Sequence, residues 1–422
     1  MAGLRLTYVR FEHGERYPIL LGSNGLPQWY PTLFATSHYR NGSRTAATTH
    51  GVLSSVRQVY IWSEHNDISL EGRFRERDFL HDFEISSLVD FLKRRAEPDL
   101  SPPQQVSHPS MPTLEQARAL PSEPVEPLSS GYVYNRILVA GRFLKWVALR
   151  VLRDSGQRIS QDIKAQIDQM VEALSDLRPR NRRNFGLAAK RAQPPDESQL
   201  TLQIAKPDHL DNPYSKETAF RNHVIFQLLS DLGLRSGELL ALRTDDVDFQ
   251  SQDILVARRH NDKLDPRARQ PVAKTEDRRL PISDDLASAL FIYIGKVRPK
   301  QPYARRHPFL FTTVRGSRLG QAGAPMSLQQ LGRIVAALSA ALPTGSMKLH
   351  PHLFRHNAAT AMGKSLRERG VPEGEAERVL NSKFGWADGS KSFRVYIEQN
   401  VAELAAEAQM NMQERPDDKG NK

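Results

Sequence analysis

Three short stretches of the chain hold side chains suited to work on a phosphodiester. They are Arg235 within Gly233-Leu234-Arg235-Ser236-Gly237-Glu238-Leu239, the run His352-Leu353-Phe354-Arg355-His356, and Tyr396 within Phe393-Arg394-Val395-Tyr396-Ile397. A guanidinium presents a planar fork of donors to phosphate oxygens and stays charged at any ordinary pH. Arg235 falls where one helical pattern ends at glycine and the next begins, a corner at which free helix N–H groups add positive potential. Glu238, three residues on, is placed to orient that arginine by a hydrogen bond. His352, Arg355 and His356 are spaced i, i+3 and i+4, so they share one helical face. The Ala358, Ala359, Ala361 and Met362 that follow suit burial of the rest of that helix. Such a polar trio is either a buried hydrogen-bond network or an active site. Tyr396 is the candidate nucleophile or an ordinary packing residue; its phenol, with a pKa of about 10, attacks only with positive surroundings and a proton acceptor.

Two further side chains fit the same chemistry. Lys274 lies in a polar hairpin between two strand-like runs, from which a lysine can reach a leaving oxygen as general acid. Lys263, in the same hairpin, competes for the role. Trp386 follows Gly385, and its indole N–H is a lone donor able to bond a phosphoryl oxygen, although core packing is the commoner use of such a residue. Several preorganised donors, each worth about 3–4 kcal/mol of transition-state stabilisation, can stand in for a metal ion. His352 and His356 have the spacing of a helical zinc pair, but Arg355 between them repels a cation and no acidic third ligand is close. The residues therefore predict neither a metal nor a cofactor.

These groups need a scaffold. A chain of 422 residues is too long for one ordinary core and suggests two or three domains. Its 59 Lys and Arg against 48 Asp and Glu leave a net charge of +11, which favours a polyanionic partner, nucleic acid ahead of anionic membrane. No apolar run of about 18 residues is present to span a bilayer. The opening segment, with Glu12, Glu15 and Pro18, lacks the apolar centre of a signal peptide. With no cysteine there are no disulfides or thiolate metal sites, which suits a reducing cytoplasm.

Leu4 to Phe11 alternates with period two and turns at His13-Gly14-Glu15 into Tyr17 to Leu21, predicting a small hairpin module over 1–30. Residues 31–177 read as helical. Val52, Val56, Val59 and Tyr60 form one apolar series; Phe79, Phe83, Leu88, Phe91 and Leu92 a second; Ile137, Ala140, Phe143, Leu144, Val147 and Val151 a third; a further helix covers 160–177. A proline-dense insert interrupts them at 97–127. A basic linker over 178–212 carries Arg180, Arg182 and Arg183, which either lie along DNA phosphates or are merely solvated. From 213 to 400 the pattern mixes helices (220–232, from 236, 283–297, 327–342, 352–369, 373–383) with strands at 254–257, 279–282 and 309–311. Residues 401–422 form a C-terminal helix and tail, with Val401, Leu404, Ala405, Ala408 and Met412 on an apolar stripe. The expected class is mainly α with a small antiparallel β-sheet, a helical domain preceding a mixed α+β domain.

With Gly-Leu-Arg-x-x-Glu-Leu around Arg235, the Lys274 hairpin ending in Arg-x-x-Pro, His-x-x-Arg-His at 352–356, Gly-Trp at 385–386 and Tyr396, residues 200–400 resemble the tyrosine recombinase (phage integrase) family. The resemblance implies that 213–400 is the catalytic domain and 31–177 a core-binding domain that clamps DNA. The strands of 1–30 are more faintly similar to an arm-type DNA-binding module. It further implies site-specific strand exchange on double-stranded DNA through a covalent 3′-phosphotyrosyl intermediate. Tyr396 is then the nucleophile, Arg235 and Arg355 clamp the scissile phosphate, His352 assists proton transfer, Lys274 protonates the 5′-oxygen, and Trp386 and His356 support the site. No cofactor is implied. The partners implied are DNA and further copies of the chain, as a tetramer on two duplexes, in the bacterial cytoplasm at the nucleoid, as for the integrase of a mobile element.

The chain departs from the family pattern in spacing. Arg355 and Tyr396 are 41 positions apart (396 minus 355), several more than usual, with Glu373, Glu375 and Glu377 in the interval. The Trp386–Tyr396 loop is also slightly long and carries Asp388-Gly389. Such an insertion bears on whether the tyrosine serves its own subunit's site. Trp386 stands where the family more often has histidine. Two other readings share these residues: a type IB topoisomerase-like relaxing activity, and a non-catalytic DNA-binding regulator on the same fold.

Overall fold

The structure, a computed structural model, describes residues 3–94, 128–179, 192–316, 321–387, 405, 408–410 and 412–413. The Pro-rich insert, Arg180, Arg182, Arg183 and Tyr396 lie outside the described residues, as does most of 401–422; residues 405, 408–410 and 412–413 are helical. The chain divides into two compact units, residues 1–11 with 16–183, and residues 12–15 with 184–422.

In the first unit, β1 (Arg5–Arg10) and β2 (Arg16–Leu21) pair antiparallel, Arg5 opposite Leu21 and Arg10 opposite Arg16. This hairpin shares the helical core, to which it gives Leu4, Tyr17 and Leu20. Next comes α1 (Trp29–Ala35), too short for a periodic signal, which sets Phe34 against Phe143 with ring centres 5.3 Å apart. Thr45 caps α2 (Ala46–His65) by accepting the Thr48 N–H. After α3 (Leu70–Arg75), α4 (Asp82–Lys93) buries Ile85, Leu88, Val89 and Leu92. Phe83 does not join that series. It is 72% exposed and stacks on His81, because its position falls on the solvent face of α4. The long α5 (Ser130–Asp154) runs through the middle of the unit and packs on α2, α3 and α6 (Gln161–Asp176). Its Ile137, Ala140, Phe143, Leu144, Val147 and Val151 are all buried, at the helical spacing that a core-facing stripe requires. Arg136 donates from Nη1 to the carbonyls of Leu92 and Arg94, both at 2.9 Å, closing the C-terminus of α4.

The second unit opens with α7 (Pro195–Ile204), inside the stretch expected as linker. Pro195 is pre-set for a first helical position, and Asp196 and Glu197 favour the positive helix start. Its Ile204 lies in the core of this unit. The centre is α8 (Lys216–Asp231), whose Val224, Ile225, Phe226, Leu228 and Leu229 are fully buried. It ends at Leu232 and the left-handed Gly233 (φ +61°), and the short α9 (Ser236–Ala241) follows. A three-stranded antiparallel sheet has the order β3 (Val247–Asp248), β4 (Asp253–Val256), β5 (Arg278–Pro281). Ser283 caps α10 (Asp284–Ile292), which continues over 293–297 as a wider turn. The strand expected at 309–311 is reduced to one isolated bridge, Phe309 with Arg243. Ser327 and Gln330 form a capping box at the start of α11 (Leu328–Ala341). His350 accepts the Leu353 N–H at 3.1 Å and Pro351 begins α12 (Pro351–Glu368). α12 packs on α8 and on α13 (Glu373–Phe384). No helix among the described residues is long and apolar enough to cross a membrane.

The α4 assignment separates two substitutions that hydrophobicity alone would rank together. Leu88→Ala is expected to cost about 2–5 kcal/mol in denaturant unfolding, and Phe83→Ser to change stability by no more than about 0.5 kcal/mol. Equal losses would contradict the placement of Phe83 on the solvent face.

Candidate active site

The sharp corner between α8 and α9 decides where Arg235 points. Gly233 must be glycine: a Cβ there would meet Phe384 Cε1 at 2.5 Å, and its φ is positive. Two residues later Arg235 takes the N-cap position of α9, and its backbone N–H donates to Glu238 Oε2 at 3.1 Å. That bond folds the Glu238 side chain back over the helix start, where the orphan N–H groups and the dipole favour a carboxylate.

Three guanidiniums converge on this one carboxylate, which is itself only 1% exposed. Arg235 Nη1 donates to Oε1 at 3.0 Å, Arg278 Nη2 donates to Oε2 at 2.8 Å, and Arg355 Nη1 lies 3.7 Å from Oε2. The Thr275 hydroxyl donates to Oε1 at 3.0 Å while accepting from Arg278 Nη1 at 2.7 Å. A second acceptor is the C-terminal end of α13. The Phe384 carbonyl takes Arg355 Nη2 and, at 3.4 Å, Arg235 Nη1; the Lys383 carbonyl takes Arg278 Nε at 2.9 Å. Arg355 Nη1 completes its bonds on the Gly233 carbonyl at 2.8 Å. The chain leaves this point through Gly385, left-handed at φ +57°, where a Cβ would strike Thr275 Cβ at 2.7 Å. It arrives at Trp386, which stacks on Phe384 with ring centres 5.1 Å apart. The Arg355 guanidinium carbon lies 5.0 Å from the Phe384 ring centre and 5.7 Å from that of Trp386, within cation–π range of both.

Charge in this cluster is unbalanced by design. Burial alone would push the Glu238 carboxyl up, but its hydrogen bonds and charge pairing with Arg278, the Arg235 N–H and the Arg355 charge together hold it below the usual 4.5. Arg355 moves the other way. Burial first, then the neighbouring Arg235, push it down to about 9, with Glu238 the compensating charge and Arg278 a further repulsion. One carboxylate thus faces three guanidiniums, and the excess positive charge favours an added anion. Arg235, with 28% of its side chain exposed, is the member of the three that meets solvent most.

The other predicted residues are placed unevenly around this centre. Lys274 is exposed, one residue before the Thr275 that bonds Glu238. The β4–β5 connection that carries it is pinned rather than open. Arg243 pairs with Asp262 at 2.6 Å, and Arg259 Nη1 donates to Asp246 at 2.9 Å. Arg267 pairs with the buried Asp265 at 2.8 Å and donates to the Met326 carbonyl at 2.8 Å. Lys263 lies in the pinned part, next to Asp262. His352 is exposed and His356 half-buried, and their rings meet edge to face at 4.4 Å. Among the described residues no group of three or more His, Asp or Glu is arranged to hold a metal ion. Tyr396 lies outside the described residues.

Sequence reasoning gave no role to Thr275 or to Arg278, the arginine of the Arg-x-x-Pro ending, yet they complete the cluster. Strand parity was the available signal. In β5 the buried Leu280 faces inward, so Arg278 two residues away shares its face while Arg279 points out, where it pairs with Asp253 at 2.6 Å. The Phe384 carbonyl left no side-chain signal at all.

Removing the carboxylate should expose the imbalance. Glu238→Gln strands three guanidiniums on a neutral amide, and a loss of about 3–5 kcal/mol is expected in denaturant unfolding. Because its folded-state pKa is depressed, Glu238 gives its full stabilisation above pH 4.5 and loses it as pH falls through the lower folded value. The wild-type chain should therefore show an acid-induced loss below that pH which Glu238→Gln lacks. A variant of unchanged stability and unchanged acid profile would contradict the assignment.

Residues 201–403 match the sequence model of the phage integrase family. A putative integrase/recombinase, y4gC, of Sinorhizobium fredii is 30% identical over 154 residues, 34% of this chain and 62% of its own length. The tyrosine recombinase XerC of Shewanella amazonensis is 27% identical over 175 residues, 40% of this chain and 51% of its own. The chain thus spans less than two thirds of either relative. The crystal structure of XerA recombinase aligns over 92% of this chain and 99% of its own, with a TM-score of 0.36 and 18% identity. The glycine corner, the two arginines on one glutamate and the Gly-Trp turn all fall inside the span that is similar to the phage integrase family.

Proposed function

We propose that the chain is a site-specific DNA recombinase of the integrase type, cutting and rejoining double-stranded DNA through a covalent 3′-phosphotyrosyl intermediate. The observation that carries this reading is the convergence of Arg235 and Arg355 on Glu238 and the Phe384 carbonyl, with positive charge left over at the turn leading toward Tyr396. An anion docked there relieves the repulsion among the guanidiniums. A phosphodiester is the anion that the family and the basic composition both favour.

In this reading Arg235 grips a non-bridging oxygen of the scissile phosphate, and the buried Arg355 adds its charge from beneath. The Tyr396 oxygen attacks phosphorus, the bond to the 5′-oxygen breaks, and Lys274 gives that oxygen a proton. His352, supported by the ring of His356, assists proton transfer from the phenol, and the Trp386 N–H donates to a second non-bridging oxygen. The phosphoester is kept in the protein–DNA link, so rejoining needs no ATP. Residues 213–400, with α7 packed onto them, act as the catalytic domain. Residues 31–177 act as the DNA clamp, with the Arg180, Arg182 and Arg183 run between them along phosphates. The working form is a tetramer on DNA, with 401–422 available for contact between copies.

The test is a nicked duplex carrying the junction sequence of the DNA that encodes this chain. The wild-type chain should trap a covalent adduct, in chelator as well as without it. Tyr396→Phe should trap none, and Arg235→Ala should slow trapping by about 10²- to 10³-fold. An adduct that survives Tyr396→Phe, or one that needs an added divalent metal, would sink the mechanism.

A further inference from the structure

A second buried polar group grips the helix that carries His352, Arg355 and His356, from a different side. The Gln193 N–H donates to Asn357 Oδ1 at 2.9 Å, and Asn357 Nδ2 donates back to Gln193 Oε1 at 2.9 Å, a two-way amide clasp. Gln193 is 6% exposed, and its Nε2 donates on to Glu197 Oε1 at 3.2 Å and to the fully buried Thr201 hydroxyl at 3.3 Å. Glu197 Oε1 also accepts the Met347 N–H at 2.6 Å, and Asn357 Nδ2 reaches Ser198 Oγ at 3.4 Å. The first turns of α7 therefore hold α12 at two points: just before its start, and one residue after His356.

Asn357 follows Arg355 by two positions, about 200° around the helix at 3.6 residues per turn. α12 is thus held on one side by Arg355 in the glutamate cluster and on roughly the opposite side by the clasp. Apolar packing alone would hold the helix nearly as well at any small axial shift. Paired amides do not tolerate such a shift, because each leaves an unsatisfied buried donor or acceptor when it loses its partner. Register is what the clasp adds.

We propose that Gln193 and Asn357 are positioning residues that set the register of α12 and with it the placement of Arg355 and His352. The proposal rests on the recombinase reading above. Neither residue touches the reacting atoms.

The experiment compares the full chain with Gln193→Ala, Asn357→Ala and the double variant. Each is followed by adduct rate on the nicked junction duplex at saturating DNA, by affinity for that duplex, and by thermal unfolding. The single variants should slow the adduct about 10- to 100-fold at unchanged DNA affinity, and the double variant should be no slower than the slower single. Additive losses, or losses that follow lowered thermal stability, would overturn the proposal. Full-rate adduct in the clasp variants overturns it while leaving the recombinase reading intact. Absence of adduct in the unmodified chain removes that reading and the proposal with it.

Discussion

Burying a charge is costly unless other charges and hydrogen bonds surround it, and in this chain Glu238 is the point where that requirement is met for four separate elements. Its carboxylate takes bonds from the N-cap of α9, from the strand β5 and from the Thr275 hydroxyl, and it faces a guanidinium from α12. Those same guanidiniums close the C-terminal carbonyls of α13. Without the carboxylate, Arg235, Arg278 and Arg355 would repel one another in a region with little water to screen them. With it, they are held close while a net positive charge remains. Under the proposed function, donors held in place in this way do not have to reorganise when charge develops on a bound phosphate, which is the condition for strong electrostatic stabilisation of a transition state.

The two left-handed glycines are consequences of that packing. Gly233 and Gly385 each bring backbone so close to a neighbouring side chain that no Cβ fits, and each stands beside a carbonyl that the arginines use or adjoin. The lysine hairpin is tied to the same centre through Thr275 and Arg278, and it is further fastened by the Asp246, Asp262 and Asp265 ion pairs. On the far side of α12 the Gln193–Asn357 clasp supplies a second constraint of a different kind, neutral and directional rather than charged. The helix bearing the histidines and Arg355 is therefore bonded on two roughly opposite sides.

Legibility in the sequence followed the range of the interaction. Arg235 with Glu238, and His352 with His356, could be read because each partner is three or four residues away and helix geometry brings the two together. The long periodic helix α5 was legible for the same reason. Arg278 meets Glu238 across 40 positions, and Gln193 meets Asn357 across 164, so no local pattern announces either pair. Short α1 and α7 carry too few turns to show a period. Phe83 illustrates the opposite error, since an apolar side chain in an apolar series was taken for core although helix geometry turns it to solvent. The phenol at 396 was recognised by residue type and order along the chain, not by its surroundings.

The central claim is that three guanidiniums hold one buried carboxylate ionised, and that this pairing organises the site. A carbon-13 NMR titration of the Glu238 carboxyl tests it most directly, run on the native chain and on Arg278→Met. A native titration below the ordinary value of 4.5 is expected, and it should move upward when Arg278 is removed. A native carboxyl that titrates at or above that value, or one indifferent to the loss of Arg278, would contradict it.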